Sequence, residues 1–266
     1  ILPDATIALE VERTVAKALT QQAVRAILSQ YPSGLTEWTM QAINTPSSNR
    51  HRVKREAAAL AATYPLAQRL LIPSRVVLLG PVNAGKSTLA NALGGRRQSI
   101  TAATPGVTRD WTSQLIDING LPIELIDTAG HRHTNDTLEQ QAWQRGWEQA
   151  RGADLILVVF DAAETTPEII ETFIRDHQLK RPLVVFNKCD LQVAVPPAKE
   201  SVRVSALQSE GLDELRGAIV ARLGLAGFDP KQPLAFTARQ ERILAEVAQS
   251  NDEMALHLLR QLRGCD

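Results

Sequence analysis

Apolar residues follow two different periods along this chain of 266 residues. Over residues 5–30, and again after Pro233, they recur every three or four positions, which places them on one face of an α-helix. Between these stretches, short continuous apolar runs alternate with helix-like segments, a pattern typical of buried parallel strands joined by helices. The change of period predicts a helical domain formed by residues 1–72 and 226–266, interrupted by an α/β domain over 73–225.

The helical stretches predict a small number of helices. A first helix is expected over 5–30, ended by the turn at 32–34, with further helices over 36–43 and 50–64. A final helix is expected after Pro233, where the apolar residues of one helical face are Ile243, Val247, Met254, Leu258 and Leu262. We expect this face to pack on the N-terminal helices.

The interrupting domain predicts an open sheet. Strands are expected at six apolar runs, 75–80, 112–118, 121–126, 153–160, 182–187 and 201–204. Helices are expected over 86–93, 137–151, 167–177 and 211–222. Asn119-Gly120 is a strong two-residue hairpin signal, so the strands beside it should pair antiparallel. The prediction is an α/β fold with a mostly parallel sheet, one antiparallel edge strand and helices on both faces.

A glycine-rich loop follows the first predicted strand. Gly80 to Thr88 read Gly-Pro-Val-Asn-Ala-Gly-Lys-Ser-Thr, which fits the pattern G-x-x-x-x-G-K-[ST]. Backbone N–H groups of such a loop surround phosphates, and the following helix points its positive N-terminus at the same charge. Lys86 can reach the β- and γ-phosphates, and the Ser87 hydroxyl can bind Mg²⁺. We predict a nucleoside triphosphate site formed by Asn83, Ala84, Gly85, Lys86, Ser87 and Thr88.

Two motifs after later strands indicate the base. Asn187-Lys188-Cys189-Asp190 ends a buried strand, and Asp190 can accept hydrogen bonds from the N1–H and N2–H₂ groups of guanine, which adenine does not offer. Asn187 can brace the loop, and Lys188 can lie over the base plane. Ser205-Ala206 follows the strand over 201–204, where a backbone N–H can meet guanine O6. The expected ligand is GTP or GDP at the carboxyl edge of the sheet.

Two further segments suit the γ-phosphate and Mg²⁺. Asp127-Thr-Ala-Gly130 ends the strand over 121–126. The Asp127 carboxylate can hold Mg²⁺ through water, and the Gly130 N–H can sense the γ-phosphate. Thr108 lies between the glycine-rich loop and this carboxylate, where its hydroxyl can also reach Mg²⁺. Ser87, Thr108 and Asp127 are the predicted Mg²⁺ ligands.

These segments, in this order, resemble the TRAFAC-class P-loop GTPases of the TrmE–Era–EngA branch. The stretch from His131 to Trp143 and the segment from Phe236 to Gln240 are similar to the tRNA-modification GTPase family (MnmE/TrmE-like). The resemblance implies GTP hydrolysis with Mg²⁺, stimulated by K⁺, with Asn83 as a K⁺ ligand. It makes Glu139 the residue that orients the attacking water, while Lys86 acts on the phosphates. No segment resembles the N-terminal folate-binding domain of that family.

Two residues depart from the family pattern. Val107 stands where the family often has a threonine near the K⁺ site, and His131 replaces an apolar residue after Gly130. A histidine at that place positions water in elongation-factor GTPases, so His131 is an alternative to Glu139. Two other functions stay open, a ribosome-assembly GTPase of the Era or EngA type and a non-catalytic GTP-gated binding switch.

Charge and composition limit the partners. Acidic and basic residues number 29 each, so the chain has no overall electrostatic preference for nucleic acid. The basic run over 50–55 is either a solvated helix start or an RNA-facing patch. The two cysteines form no disulfide framework, and no apolar run approaches the ~20 residues of a membrane span. We expect a cytoplasmic protein with no membrane partner. The family resemblance adds a possible GTP-dependent homodimer through the GTPase domain and a tRNA-modification partner protein or RNA.

Overall fold

The computed structural model of the protein describes residues 6–95, 111–128, 150–191 and 201–264. The chain divides into two compact units, one of Ile1–Ile72 with Gly227–Asp266 and one of Pro73–Ala226. The described helices, in chain order, are α1 (Ile7–Val15), α2 (Gln21–Leu28), α3 (Gly34–Asn44), α4 (Arg50–Ala61), α5 (Tyr64–Leu71), α6 (Lys86–Gly94), α7 (Pro167–Asp176), α8 (Leu212–Arg222), α9 (Ala238–Gln249) and α10 (Asp252–Arg263). The described strands are β1 (Ser74–Leu79), β2 (Trp111–Ile118), β3 (Leu121–Thr128), β4 (Leu155–Asp161), β5 (Leu183–Asn187) and β6 (Ser201–Arg203).

Polar caps divide two of the predicted helices. The helix expected over 5–30 is two helices, because Thr20 is extended and its hydroxyl accepts the Ala23 N–H at 3.2 Å to begin α2. Likewise Asn251 accepts the Met254 N–H at 2.9 Å and begins α10, so the expected final helix is α9 followed by α10. The prediction that Met254 lies on the buried face is wrong, since Met254 is 49% exposed on α10.

The predicted end of the third helix, at residue 64, is also wrong. The helix α4 stops at Ala61, and α5 begins at Tyr64 with Pro65 in its first turn, where proline needs no N–H partner. Thr63 lies between them, and its hydroxyl donates to the Leu60 carbonyl at 2.6 Å and accepts the Ala235 N–H at 2.9 Å. One threonine therefore stabilises both the end of α4 and the returning chain.

The two sequence segments of the helical unit are joined by buried polar networks. The fully buried Gln30 side chain accepts the N–H groups of Leu35 at 3.1 Å and Leu234 at 2.9 Å. The Glu10 carboxylate of α1 accepts hydrogen bonds from Thr237, Arg239 and Gln240 at distances of 2.8 to 3.0 Å. A largely buried carboxylate is tolerated when it is charge-paired and hydrogen-bonded, and this one connects the first helix to the start of α9.

The α/β unit contains a six-stranded sheet in the order β2-β3-β1-β4-β5-β6. Among the described strands, only the β2–β3 pair is antiparallel, as predicted, and its two-residue turn has positive φ at Asn119 (50°) and Gly120 (88°). Helix α7 packs on one face, where Phe173 meets Phe160 edge-on at 5.5 Å between ring centroids. Helix α6 lies against the other face, where its Ala90 carbonyl accepts from Gln114 of β2 at 3.3 Å. The predicted α/β fold class is confirmed.

The helix expected over 137–151 lies mostly outside the described residues, which resume at Ala150. Within the described ranges, no helix is both long and apolar enough to cross a membrane.

Candidate functional site

The carboxyl ends of β1, β3, β4 and β5 meet at one edge of the sheet, and the predicted motifs follow these strands. The loop from Gly80 to Gly85 leaves β1 and enters α6. Gly80 has φ 142°, and a Cβ there would collide with the Val159 carbonyl oxygen of β4. Gly85 has φ 84°, and a Cβ there would collide with the Asn187 side-chain amide. Both glycines are required by conformation and by close approach.

Lys86 is the first residue of α6, directly after this loop, and is only 5% exposed. Its Nζ donates to the carbonyl oxygens of Gly80 at 3.1 Å and Pro81 at 2.8 Å. Burial lowers the pKa of Lys86 from 10.5 to about 8, and the nearby Asp127 carboxylate opposes part of that change. An anion beside this ammonium would favour its charged form and offset the loss of hydration on burial.

Asp127 is the next-to-last residue of β3, and the last residue, Thr128, donates its hydroxyl to the Leu78 carbonyl of β1 at 2.7 Å. Its Oδ1 is buried and makes no hydrogen bond with any described residue. Burial raises the pKa of Asp127 above the usual 3.8, while a hydrogen bond from Ser87 and the charge of Lys86 lower it. A buried oxygen with unused lone pairs, beside a hydroxyl, is suited to Mg²⁺, which prefers oxygen ligands and retains waters. The described residues therefore fit the predicted Mg²⁺ site at Ser87 and Asp127.

Asn187 connects the phosphate loop to the base loop. This residue is 2% exposed, and its Nδ2 donates to the carbonyls of Ala84 at 3.0 Å and Gly85 at 3.4 Å. Its Oδ1 accepts the Ala206 N–H at 3.0 Å. The side chain thus makes three hydrogen bonds to backbone groups of two separate loops, which agrees with its predicted bracing role.

The side chains expected at the base line a cavity of about 230 Å³. Asp190 and Ala206 lie in its wall, together with the exposed apolar residues Leu191 and Leu207. The N–H of Ser205 donates to the Glu210 carbonyl at 3.0 Å, and that of Ala206 donates to Asn187. A contact from the Ala206 N–H to guanine O6 would therefore share this N–H with Asn187 in a three-centre hydrogen bond.

A larger cavity of about 730 Å³ lies beside the phosphate loop. Its lining includes most of the predicted phosphate and ion ligands, Asn83, Gly85, Lys86, Ser87 and Thr88. Asn83 has φ 63°, a strained conformation for a residue with a side chain, of the kind that clusters at functional sites. Lys188 lines both cavities, so it marks the position where they adjoin.

Sequence reasoning missed two carboxylates at this edge. Asp161 ends β4 and its Oδ2 lies 2.7 Å from the Nζ of Lys188. Glu164, three residues later, lines the larger cavity. Asp161 was recognisable, because it directly follows the strand predicted over 153–160, just as Asp127 follows the strand predicted over 121–126.

Several predicted residues lie outside the described part of the chain. These are Thr108, Gly130, His131 and Glu139, together with Val107. Their roles remain predictions. Among the described residues, the structure brings Asn83, Lys86, Asp127 and Asn187 to one edge of the sheet, along with Asp190 and Ser205.

Known proteins resemble this chain in family, sequence and structure. Residues 75–188 match the model of the family described as 50S ribosome-binding GTPase. The chain is 39% identical over 214 residues to the tRNA modification GTPase MnmE of Nitratidesulfovibrio vulgaris strain DP4, an alignment that covers 76% of this chain and 46% of the relative. It is 36% identical over 195 residues to MnmE of Acinetobacter baylyi, covering 70% and 41%. The chain thus spans about half the length of the curated relatives it matches.

One similar solved structure is a single-residue variant of Era from Aquifex aeolicus bound to GDP and AlF4⁻. It is 26% identical, covers 67% of this chain and 68% of its own, and superposes with a TM-score of 0.44.

Proposed function

We infer, because this chain is a relative of the tRNA modification GTPases, that it binds GTP across the two adjoining cavities and hydrolyses it. One observation carries the inference: the phosphate loop, the Mg²⁺ carboxylate and the guanine motif converge on one sheet edge, and Asn187 hydrogen-bonds both loops. We further propose that the hydrolysis serves tRNA modification, as the names of the relatives suggest.

The base is read in the smaller cavity. Asp190 accepts the N1–H and N2–H₂ of guanine, and it is exposed and available for this. Guanine offers two donors on this edge and adenine does not, so charge-assisted bonds to one carboxylate give the specificity. Lys188 covers the base, and a backbone N–H of the Ser205–Ala206 turn meets O6.

The phosphates lie in the larger cavity. Lys86 and the N–H groups of the loop bind the β- and γ-phosphates, and the N-terminus of α6 points its dipole at them. Ser87, Asp127 and Thr108 would hold Mg²⁺, and the bound ion would supply positive charge beside the phosphate oxygens. The loop itself contributes positioning and fixed dipoles, which is most of what phosphoryl transfer requires from a protein.

The activating groups come from the family resemblance. Asn83 would hold K⁺ beside the phosphates, and the bound ion would supply the charge that an arginine finger supplies in other GTPases. Glu139 orients the attacking water, and His131 is the alternative for that role. By the same resemblance we propose a GTP-dependent homodimer through the GTPase domain, so sedimentation with GDP and with GDP–aluminium fluoride should differ, and a monomer in both would rule the dimer out.

Single-turnover GTP hydrolysis in K⁺ and in Na⁺ tests this assignment. We expect a rate in K⁺ that is roughly tenfold or more above the rate in Na⁺, and loss of the difference in Asn83→Ala. Asn91→Ala is the matched control, because Asn91 is an exposed asparagine of the same segment that does not line the cavity. Loss of hydrolysis in Glu139→Ala but not in His131→Ala assigns the water to Glu139. Equal rates in the two salts would refute the K⁺ site.

A second candidate function is a role in ribosome assembly, which the 50S ribosome-binding description of the matched family favours. The basic run over 50–55 gives it little support in the described structure. Arg50 is 5% exposed and donates to the Ala42 carbonyl at 2.8 Å, and Lys54 pairs with Asp252 at 2.6 Å. Arg52 pairs with Glu56, so most of this run is occupied within the helical unit. GTP-dependent co-sedimentation with 50S subunits, against binding to tRNA, separates the two functions.

A further inference from the structure

Lys188 lines both the cavity assigned to the base and the cavity assigned to the phosphates. Its ammonium does not point freely into either, because it lies 2.7 Å from the Oδ2 of Asp161. The Lys188 side chain is 34% exposed and the Asp161 side chain 12%, so this ion pair is partly withdrawn from water. The residue that fixes the lysine, Asp161, therefore belongs to β4, whereas the guanine motif with Lys188 follows β5.

Asp161 is itself held in one orientation. It is the last residue of β4 and lies opposite Asn187 of β5 in the sheet register. Its Oδ1 accepts the Ala163 N–H at 3.0 Å, and the next residue, Ala162, donates its N–H to the Asn187 carbonyl at 2.9 Å. One carboxylate oxygen thus shapes the turn after β4, which leaves the other oxygen aimed at Lys188.

An unrestrained ammonium at this position has a strong competing partner. Lys188 lines the cavity that we assign to the phosphates, and phosphate oxygens attract an ammonium as strongly as a carboxylate does. Lys86 already lines that cavity from its buried position at the start of α6, where it bonds carbonyl oxygens of the loop. Without its ion pair, the Lys188 ammonium would be drawn from the base cavity toward the phosphates. Fixing the four rotatable bonds of its side chain during binding would then cost affinity.

We propose that Asp161 is a positioning residue for nucleotide recognition. It fixes the Lys188 stem in advance as the wall between base and phosphates, so that a guanine nucleotide meets a preformed apolar surface above the ring. This inference rests on the proposed function, because it assumes that the smaller cavity holds guanine. It assigns a role to a carboxylate that lines neither of the two cavities.

The test is a double-mutant cycle in which GDP affinity is measured without Mg²⁺, so that the metal ligands do not contribute to the measured affinity. Asp161→Asn keeps an oxygen for the Ala163 N–H and removes only the charge that holds Lys188. Lys188→Met keeps an apolar stem and removes the ammonium. We expect each single variant to bind GDP about tenfold more weakly and the double variant to be no weaker than either single variant. Asp213→Asn is the control, since it removes an exposed carboxylate that pairs with Arg216 in α8.

The outcomes separate the inference from the proposed function. If the wild-type chain takes up no GDP, the proposed function fails. If it binds GDP and Asp161→Asn binds equally well, or if the two losses add fully in the double variant, then Asp161 does not act through Lys188. Should Asp161→Asn fail to fold, Asp161→Ser supplies the same turn acceptor without charge and is judged by the same cycle.

Discussion

Removing the Asn187 side chain tests whether the two loops of the nucleotide site depend on one another. In Asn187→Ala, the Ala206 N–H loses its acceptor and the Ala84 carbonyl loses its donor. Ala84 and Ala206 are 1% and 6% exposed, so neither group has ready access to bulk water. The variant thus leaves two buried backbone groups without a hydrogen-bond partner, the Ala84 carbonyl in one loop and the Ala206 N–H in the other.

The expected magnitude follows from those two groups. An unsatisfied buried donor or acceptor costs about 1–3 kcal/mol, and a water entering the vacated space recovers part of this. We expect a total of about 2–4 kcal/mol. If nucleotide binds only the braced arrangement, the same free energy appears as a rise in the GDP dissociation constant of about 30-fold to several hundredfold.

Fluorescent GDP titration and hydrogen exchange at the Ala206 amide measure the two halves of this effect. In Asn187→Ala, both the affinity and the protection of that amide should fall. In Asn187→Asp, the amide keeps an acceptor, so its protection should persist, while an oxygen replaces the amide group that faces the Ala84 carbonyl and affinity still falls. Asn91→Ala, an exposed asparagine of α6, should change neither. An Asn187→Ala variant with a dissociation constant within about threefold of wild type and an unchanged amide would refute the bracing argument.

Three further outcomes are expected. Asp190→Asn should change the preference from guanine to xanthine nucleotides, because the Asn amide donates to the xanthine O2 and accepts from N1–H. This variant should lose about tenfold or more of its GDP affinity, whereas the control Asp213→Asn should lose none. GDP affinity should fall about fourfold from pH 7 to pH 8.5, since phosphates bind the charged form of Lys86, whose pKa is about 8 in the free protein, and a constant affinity would contradict this. Gln30→Leu should destabilise the helical unit by about 2–6 kcal/mol by leaving two buried N–H groups unpaired, whereas Gln21→Leu, at an exposed position of α2, should have little effect in the same denaturant titration.

The sheet was predictable because its determinants are local. Each central strand is a short continuous apolar run, and the two-residue turn at Asn119-Gly120 fixed the one antiparallel pair among the described strands. The site shared this advantage. In an open α/β sheet, the residues that follow the strands must meet at one edge, so the order of motifs alone placed Lys86, Asp127 and Asn187 together.

The failures have a common physical cause, which is that hydrogen bonds made by single polar side chains carry no periodic signal. Apolar spacing continued across Thr20 and Asn251, although each side chain begins a new helix by accepting a backbone N–H. The bond from Ala206 to Asn187 spans 19 residues and occupies a group that was expected to bind guanine. The Lys188–Asp161 pair spans 27 residues, so the guanine motif alone gave no indication of its partner.

The same distinction explains how an α/β unit can interrupt a helical one. Glu10 and Gln30 lie before the insertion, and they bond Arg239 and Leu234, which lie after it, over separations of 229 and 204 residues. These contacts close the helical unit on itself. The hydrogen bonds that shape the nucleotide cavities, from Gly80 to Ala206, fall within the other unit. Because these two networks share no group among the described residues, the free energies of the Asn187 and Gln30 substitutions should add when both are made. A departure from additivity beyond about 0.5 kcal/mol would contradict this independence of the two networks.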